Sequence, residues 1–147
     1  MKSISLIVGI CILFCLNSFS QDLRKLGDSE VDKSKVKIAQ DFATNYLTKS
    51  KNGEAYKFKD EAIDAVKNQF TEESQKNVYQ QVKNQVGDFK SLKYAETWVQ
   101  GSNKSFQIIR FMGDFEKSNK NLEIRVVLNE SGKIVGFFIK PWSDMLN

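Results

Sequence analysis

Arg110 interrupts its surroundings more sharply than any other residue in the chain. It stands inside Phe106-Gln107-Ile108-Ile109-Arg110-Phe111-Met112, an otherwise largely apolar, strand-forming run. A guanidinium in such a place has two readings. It recognises an anionic group, or it is an arginine on the outer sheet face or in a structural ion pair. Once buried it needs a carboxylate, and Asp114 or Glu96 is near enough in the pattern to supply one. Tyr94, Trp98 and Trp142 carry polar tips on large apolar bodies, which suits a pocket mouth or an interface as well as an ordinary core. The candidate ligand-binding residues are therefore Tyr94, Trp98, Arg110 and Asp114.

What is missing narrows the chemistry further. The 147 residues contain no histidine, and the two cysteines, Cys11 and Cys15, both lie within the first 20. Past that segment there is no thiol or imidazole to serve as nucleophile, general base or zinc ligand. No metal or cofactor is expected, and the reading is of a protein that is not an enzyme. Lysine and arginine total 22 against 18 acids, a net charge of +4 that is mixed along the chain rather than blocked. Only Arg24, Arg110 and Arg125 are arginine, the usual reader of phosphates and base edges, so nucleic acid is not an expected partner.

Lys2 precedes an uncharged apolar run from Ile4 to Leu16, and Ser18 and Ser20 place small side chains before a cut at Gln21. That is the grammar of a secretory signal peptide. The run is shorter than the ~20 apolar residues of a spanning helix, so no stable membrane span is expected after cleavage. The expectation is an exported protein, periplasmic or secreted, with residues 1–20 as signal peptide, 21–32 as a flexible leader and 33–147 as one domain.

Helical spacing runs from about residue 33 to 87. Val36, Ile38, Ala39, Phe42, Ala43, Tyr46 and Leu47 form a one-sided stripe, capped by Asp32 or Ser34 and ended at Gly53. A second helix is predicted over Asp60–Phe70, and a third from the cap Thr71 to Gly87, burying Val78, Tyr79, Val82 and Val86. After residue 90 the period falls to two, predicting four strands joined by short turns, an antiparallel meander. In strict alternation Asp114 shares a face with Ile108, Arg110 and Met112, and Glu96 with Leu92, Tyr94 and Trp98. Glu123 opposes the apolar set Leu122, Ile124, Val126 and Leu128, and so is expected to face solvent. Helices followed by strands predict an α+β domain with the helices on one sheet face. Two sequons, Asn103-Lys104-Ser105 and Asn129-Glu130-Ser131, fall at turns.

The element order, the Gly87-Asp88-Phe89 turn and the closing hairpin Ser131-Gly132-Lys133-Ile134-Val135-Gly136-Phe137-Phe138-Ile139-Lys140-Pro141 together resemble a known group. The chain is similar, over about residues 33 to 142, to small exported bacterial domains of unknown function with a cystatin-like fold, shared with nuclear transport factor 2 and ketosteroid isomerase. The resemblance implies a four-stranded sheet curled around the helices into a cone whose open end often holds a ligand. Some relatives are isomerases, in which a carboxylate moves a proton and a phenol stabilises an oxyanion. The corresponding candidates are Asp114, Glu96 and Glu123 with Tyr46, Tyr79 and Tyr94. Others only bind a small ligand or a protein partner, or form a homodimer through the open sheet face, where Val127, Phe137 and Ile139 would make an apolar patch. A non-enzymatic binding module is the first expectation, an envelope interaction domain and an isomerase-type enzyme the alternatives.

Overall fold

The computed structural model describes residues 23–101, 104–117 and 122–146. The expected signal peptide and its cut before Gln21, Asn103 of the first sequon and the expected turn at residues 118–121 lie outside the described residues.

Nineteen residues form α1 (Lys33–Lys51), and its start is built by Asp32, whose carboxylate accepts from the backbone N–H of Ser34 at 2.9 Å. This satisfies one of the orphan donors of the first turn. The predicted stripe buries Ala39, Phe42, Ala43, Tyr46 and Leu47, whereas Ile38, which its spacing places with them, stays exposed at the edge of that face. Further along, α3 (Glu72–Val86) starts on Thr71, whose hydroxyl accepts from the Ser74 N–H at 3.2 Å, and stops at Gly87. Gly87 sits at φ +78°, and a Cβ there would come within 2.8 Å of the Glu116 Cβ, so only glycine fits. Between them α2 is shorter than its apolar spacing predicts, covering Asp64–Gln69 alone. The residues before it are drawn to the sheet instead. Ile134 N–H donates to the Glu61 carbonyl at 2.8 Å, and Ile63 N–H donates to the Ile134 carbonyl at 3.1 Å.

The sheet is antiparallel throughout, curved and unclosed, in the order β1 (Leu23–Lys25), β2 (Phe89–Gln100), β3 (Phe106–Phe115), β4 (Leu122–Asn129), β5 (Ile134–Pro141). The domain is α+β as the spacing predicts, with one strand more. Leu23–Lys25, placed in the flexible leader by its polar composition, pairs with the end of β2, and Leu26 beside it is buried. One apolar anchor and a backbone bond from Leu26 N–H to the Thr97 carbonyl at 2.9 Å hold this segment against the sheet.

Helices and sheet meet over an aromatic core. Phe137 of β5 lies with its ring centroid 5.1 Å from Phe42 and 4.8 Å from Tyr46, and Phe70 packs edge-on to Tyr46 at 5.9 Å. Ile109, Phe111, Ile124, Val126, Leu128 and Ile139 complete it from the strands. These side chains fill the space between the two layers.

Candidate functional site

Two places bring polar chemistry together. The first is the sheet face turned away from the helices. Its geometry depends on a bulge in β2: Tyr94 pairs with Phe111 and Glu96 with Arg110, leaving Ala95 as an extra residue. Across that bulge the alternation slips by one. Tyr94 turns to the helix side, its ring 6.1 Å from Phe111 and its hydroxyl 2.9 Å from Thr97 Oγ1. Glu96 and Trp98 turn to the outer face, where they meet Arg110.

Arg110 is fully buried there, and its partners form a chain of alternating charge. One Nη donates to Glu96, the other to Glu123 Oε2 at 2.8 Å, and Arg125 Nε donates to the remaining Glu123 oxygen. Glu96 also accepts from the Trp98 indole at 2.8 Å and pairs with Lys25 Nζ at 2.6 Å. Glu123 is wholly buried, which corrects the expectation that it faces solvent. The C-terminal segment Trp142–Leu146 crosses this face, with the Trp142 ring 4.1 Å from the Arg110 Cζ and the Ser143 carbonyl accepting from Arg110 Nη2.

Burial alone would raise the carboxyls of Glu96 and Glu123. For Glu96 the hydrogen bonds from Lys25, Trp98 and Arg110 outweigh it, and for Glu123 those from Arg110 and Arg125, so both stay below the ordinary carboxylate range. At Lys140 burial comes first and the nearby Arg125 second, and together they lower the ammonium. The arrangement holds both carboxylates in their charged form at neutral pH.

Of the four candidate residues, the structure brings Trp98 and Arg110 together on the outer face. Tyr94 lies on the other side of the sheet. Asp114 has the parity of Arg110 but sits exposed near the end of β3 opposite Ser91, and the partners of Arg110 are Glu96 and Glu123 instead. The apolar patch divides as well, since Val127 is on the outer face while Phe137 and Ile139 pack against the helices. Among the phenols, Tyr46 is buried within the aromatic core with no hydrogen-bond partner for its hydroxyl, and burial raises it. Tyr79 donates to Asp88 at 3.1 Å and accepts from the Phe89 N–H, closing the turn after α3.

The second place is an open groove of roughly 1090 Å³ along the flank of α1. Ile38, Asp41, Phe42, Asn45 and Lys49 recur at helical spacing along one wall, Ile134 lies at its base, and the segment from Gly53 to Glu61 forms the other wall. That segment is held by a side chain the apolar pattern does not reveal. Gln75 of α3 is buried, accepts from the Tyr56 N–H at 2.8 Å and donates to the Tyr56 and Phe70 carbonyls at 3.0 and 2.8 Å. Its signal is positional: it shares the helical stripe of Tyr79, Val82 and Val86, where a polar residue has to be satisfied or exposed. Tyr56 in turn donates its hydroxyl to Glu61 at 3.0 Å. Burial, then that bond, push the Tyr56 phenol up to about 12. Burial raises Glu61 in turn, and the hydrogen bonds it accepts from backbone and Tyr56 bring it below the usual value.

The groove is mixed in character. Ile38 is 41% exposed at its rim, one of the two large hydrophobic side chains so exposed among the described residues. Asp41 is paired with Lys37 at 2.6 Å and Glu54 with Lys49 at 3.0 Å, whereas Lys57 and Lys59 form no ion pair among the described residues. The lining also carries Glu61, whose carboxylate Lys59 helps to stabilise, and Glu72, so apolar surface beside charges of both signs suits an amphiphilic ligand.

A family model described as "Protein of unknown function (DUF3887)" matches residues 42–137, and the chain belongs to that family. No curated protein and no solved structure matches it.

Proposed function

We propose that this DUF3887 chain is an exported, non-enzymatic binding module that takes a small amphiphile in the groove beside α1. The observation that carries the reading is the contrast between the two spaces. The region between helices and sheet is packed with aromatic side chains, while the α1 groove is open, part apolar, and edged by charges of both signs. Buried ligand contact therefore has to come from the groove wall at Ile38, Phe42 and Tyr56. The non-enzymatic part is supported by the separation of the proton-transfer candidates: Glu96 and Glu123 are locked to cations on the outer face, and Tyr46 and Tyr94 face the helices.

Titrating the isotope-labelled chain, residues 21–147, with decanoate tests the reading. The amide signals of Ile38, Asn45, Tyr56 and Lys59 shift together and saturate. Shifts confined to the outer sheet face, or none up to the solubility limit of decanoate, contradict it.

A further inference from the structure

Tyr56 is held as a strand residue is held, although no strand lies beside it. Residues 54–59 run without a turn or bend. The carboxamide of Gln75 accepts from the Tyr56 backbone N–H at 2.8 Å and donates to the Tyr56 carbonyl at 3.0 Å. Those are the two reciprocal bonds that a residue of an antiparallel strand exchanges with its neighbour. In extended backbone the residues on either side turn their N–H and C=O groups to the opposite edge. That edge belongs to Ala55 and Lys57. Both residues line the α1 groove, and their backbone groups have no hydrogen-bond partner among the described residues. The segment is thus paired along one edge by a side chain and open along the other.

We propose, on the reading that the α1 groove binds an amphiphile, that this amphiphile is a short extended peptide with apolar side chains, added as a strand along Ala55 and Lys57. Each of these two residues offers one N–H and one C=O, and they stand two apart, so three ligand residues fill the edge. The peptide's side chains alternate, and those turned inward meet the apolar surface of Ile38, Phe42 and Ile134. The charges around the groove suit its two ends. Asp41, Glu54 and Glu61 are there for an ammonium, and Lys57 and Lys59 for a carboxylate. A fatty chain covers the apolar wall and leaves the amide edge in water, whereas a peptide engages both.

The test titrates the isotope-labelled chain, residues 21–147, with the tripeptide Leu-Ala-Leu, with the same tripeptide N-methylated at both amides, and with decanoate. Leu-Ala-Leu shifts the amide signals of Ala55 and Lys57 saturably, and at saturation slows their exchange with solvent at least tenfold. The Tyr56 amide, already held by Gln75, slows by less. N-methylation removes the donors of the added strand and weakens the tripeptide at least tenfold. Decanoate shifting the groove signals while Leu-Ala-Leu leaves them unmoved overturns the peptide as ligand but not the groove as a binding site; failure of both ligands overturns both. Equal binding of the methylated tripeptide, or unchanged exchange at Ala55 and Lys57, also overturns the added strand, since side chains alone then hold the ligand.

Discussion

Glu123 accepts from Arg110 Nη2 at 2.8 Å although neither side chain has any exposed surface. The pair sits on the sheet face away from the helices, under a five-residue segment rather than a second layer. Two charges withdrawn from water in this way are costly unless every lone pair and proton finds a partner. Here Glu123 has Arg125 on its other oxygen, and Arg110 has Glu96 and the Ser143 carbonyl on its Nη donors, while its buried Nε finds no acceptor among the described residues. The network therefore fixes geometry more than it adds stability.

Removing one member exposes that cost. Glu123→Gln keeps the shape but takes the counter-charge from two guanidiniums, and is expected to destabilise the fold by about 3 kcal/mol, the lower end for a broken buried pair because Arg110 keeps Glu96. Replacing Arg110 and Glu123 together by methionine and leucine is expected to cost less than the sum of the single changes. A urea double-mutant cycle checks this, with a coupling of about 0.5–3 kcal/mol expected; strict additivity contradicts the network.

Acid reports on the same network. Glu96 and Glu123 are held below the ordinary value of 4.5 in the folded chain, so their contribution is present above that pH and is lost as the pH falls through their folded values. The urea midpoint should stay flat from neutral pH to about 5 and then fall. In Glu123→Gln the fall is shallower. An equally steep fall in the variant rules out Glu123 as its source.

At the alkaline end the tyrosines act with the opposite sign. Burial raises Tyr46; burial, then the bond to Glu61, pushes Tyr56 up to about 12, and burial does the same to Tyr79, where the Phe89 N–H opposes it and Asp88 supports it, from 10.0 in each case. Their contribution is complete below pH 10 and is lost as the pH rises through the folded values. The phenolate absorbance of the folded chain at pH 11 should be well below that of the chain in urea, and stability should decline over the same interval. Equal absorbance in the two states contradicts the burial of these hydroxyls.

Much of the fold is legible in residue order. The α1 stripe, the Asp32 and Thr71 caps, the stop at Gly87 and the meander of long strands are local features, and local chemistry decides them. What is not legible depends on contacts remote in sequence. Ala95 carries no mark of a bulge, yet it sends Tyr94 and Glu96 to opposite faces. Glu123 alternates like a solvent-facing residue and is buried against Arg110, 13 residues earlier. The helical spacing of Glu61–Ile63 loses to a backbone partner on Ile134. Arg110 stands out from sequence because a cation in an apolar strand is anomalous wherever it points. The groove does not, because its walls come from α1, the Gly53–Glu61 segment and the start of β5.

Native mass spectrometry of residues 21–147, exported and purified without refolding, tests the binding function most directly, with Ile38→Glu as the comparison. Ile38 is half exposed at the groove rim, so the substitution places a carboxylate there without opening the core. The wild-type chain is expected to carry a small-molecule mass surplus that disappears on denaturation, and the variant to lack it. A chain that emerges empty, or a surplus retained in full by Ile38→Glu, contradicts a ligand held in the α1 groove.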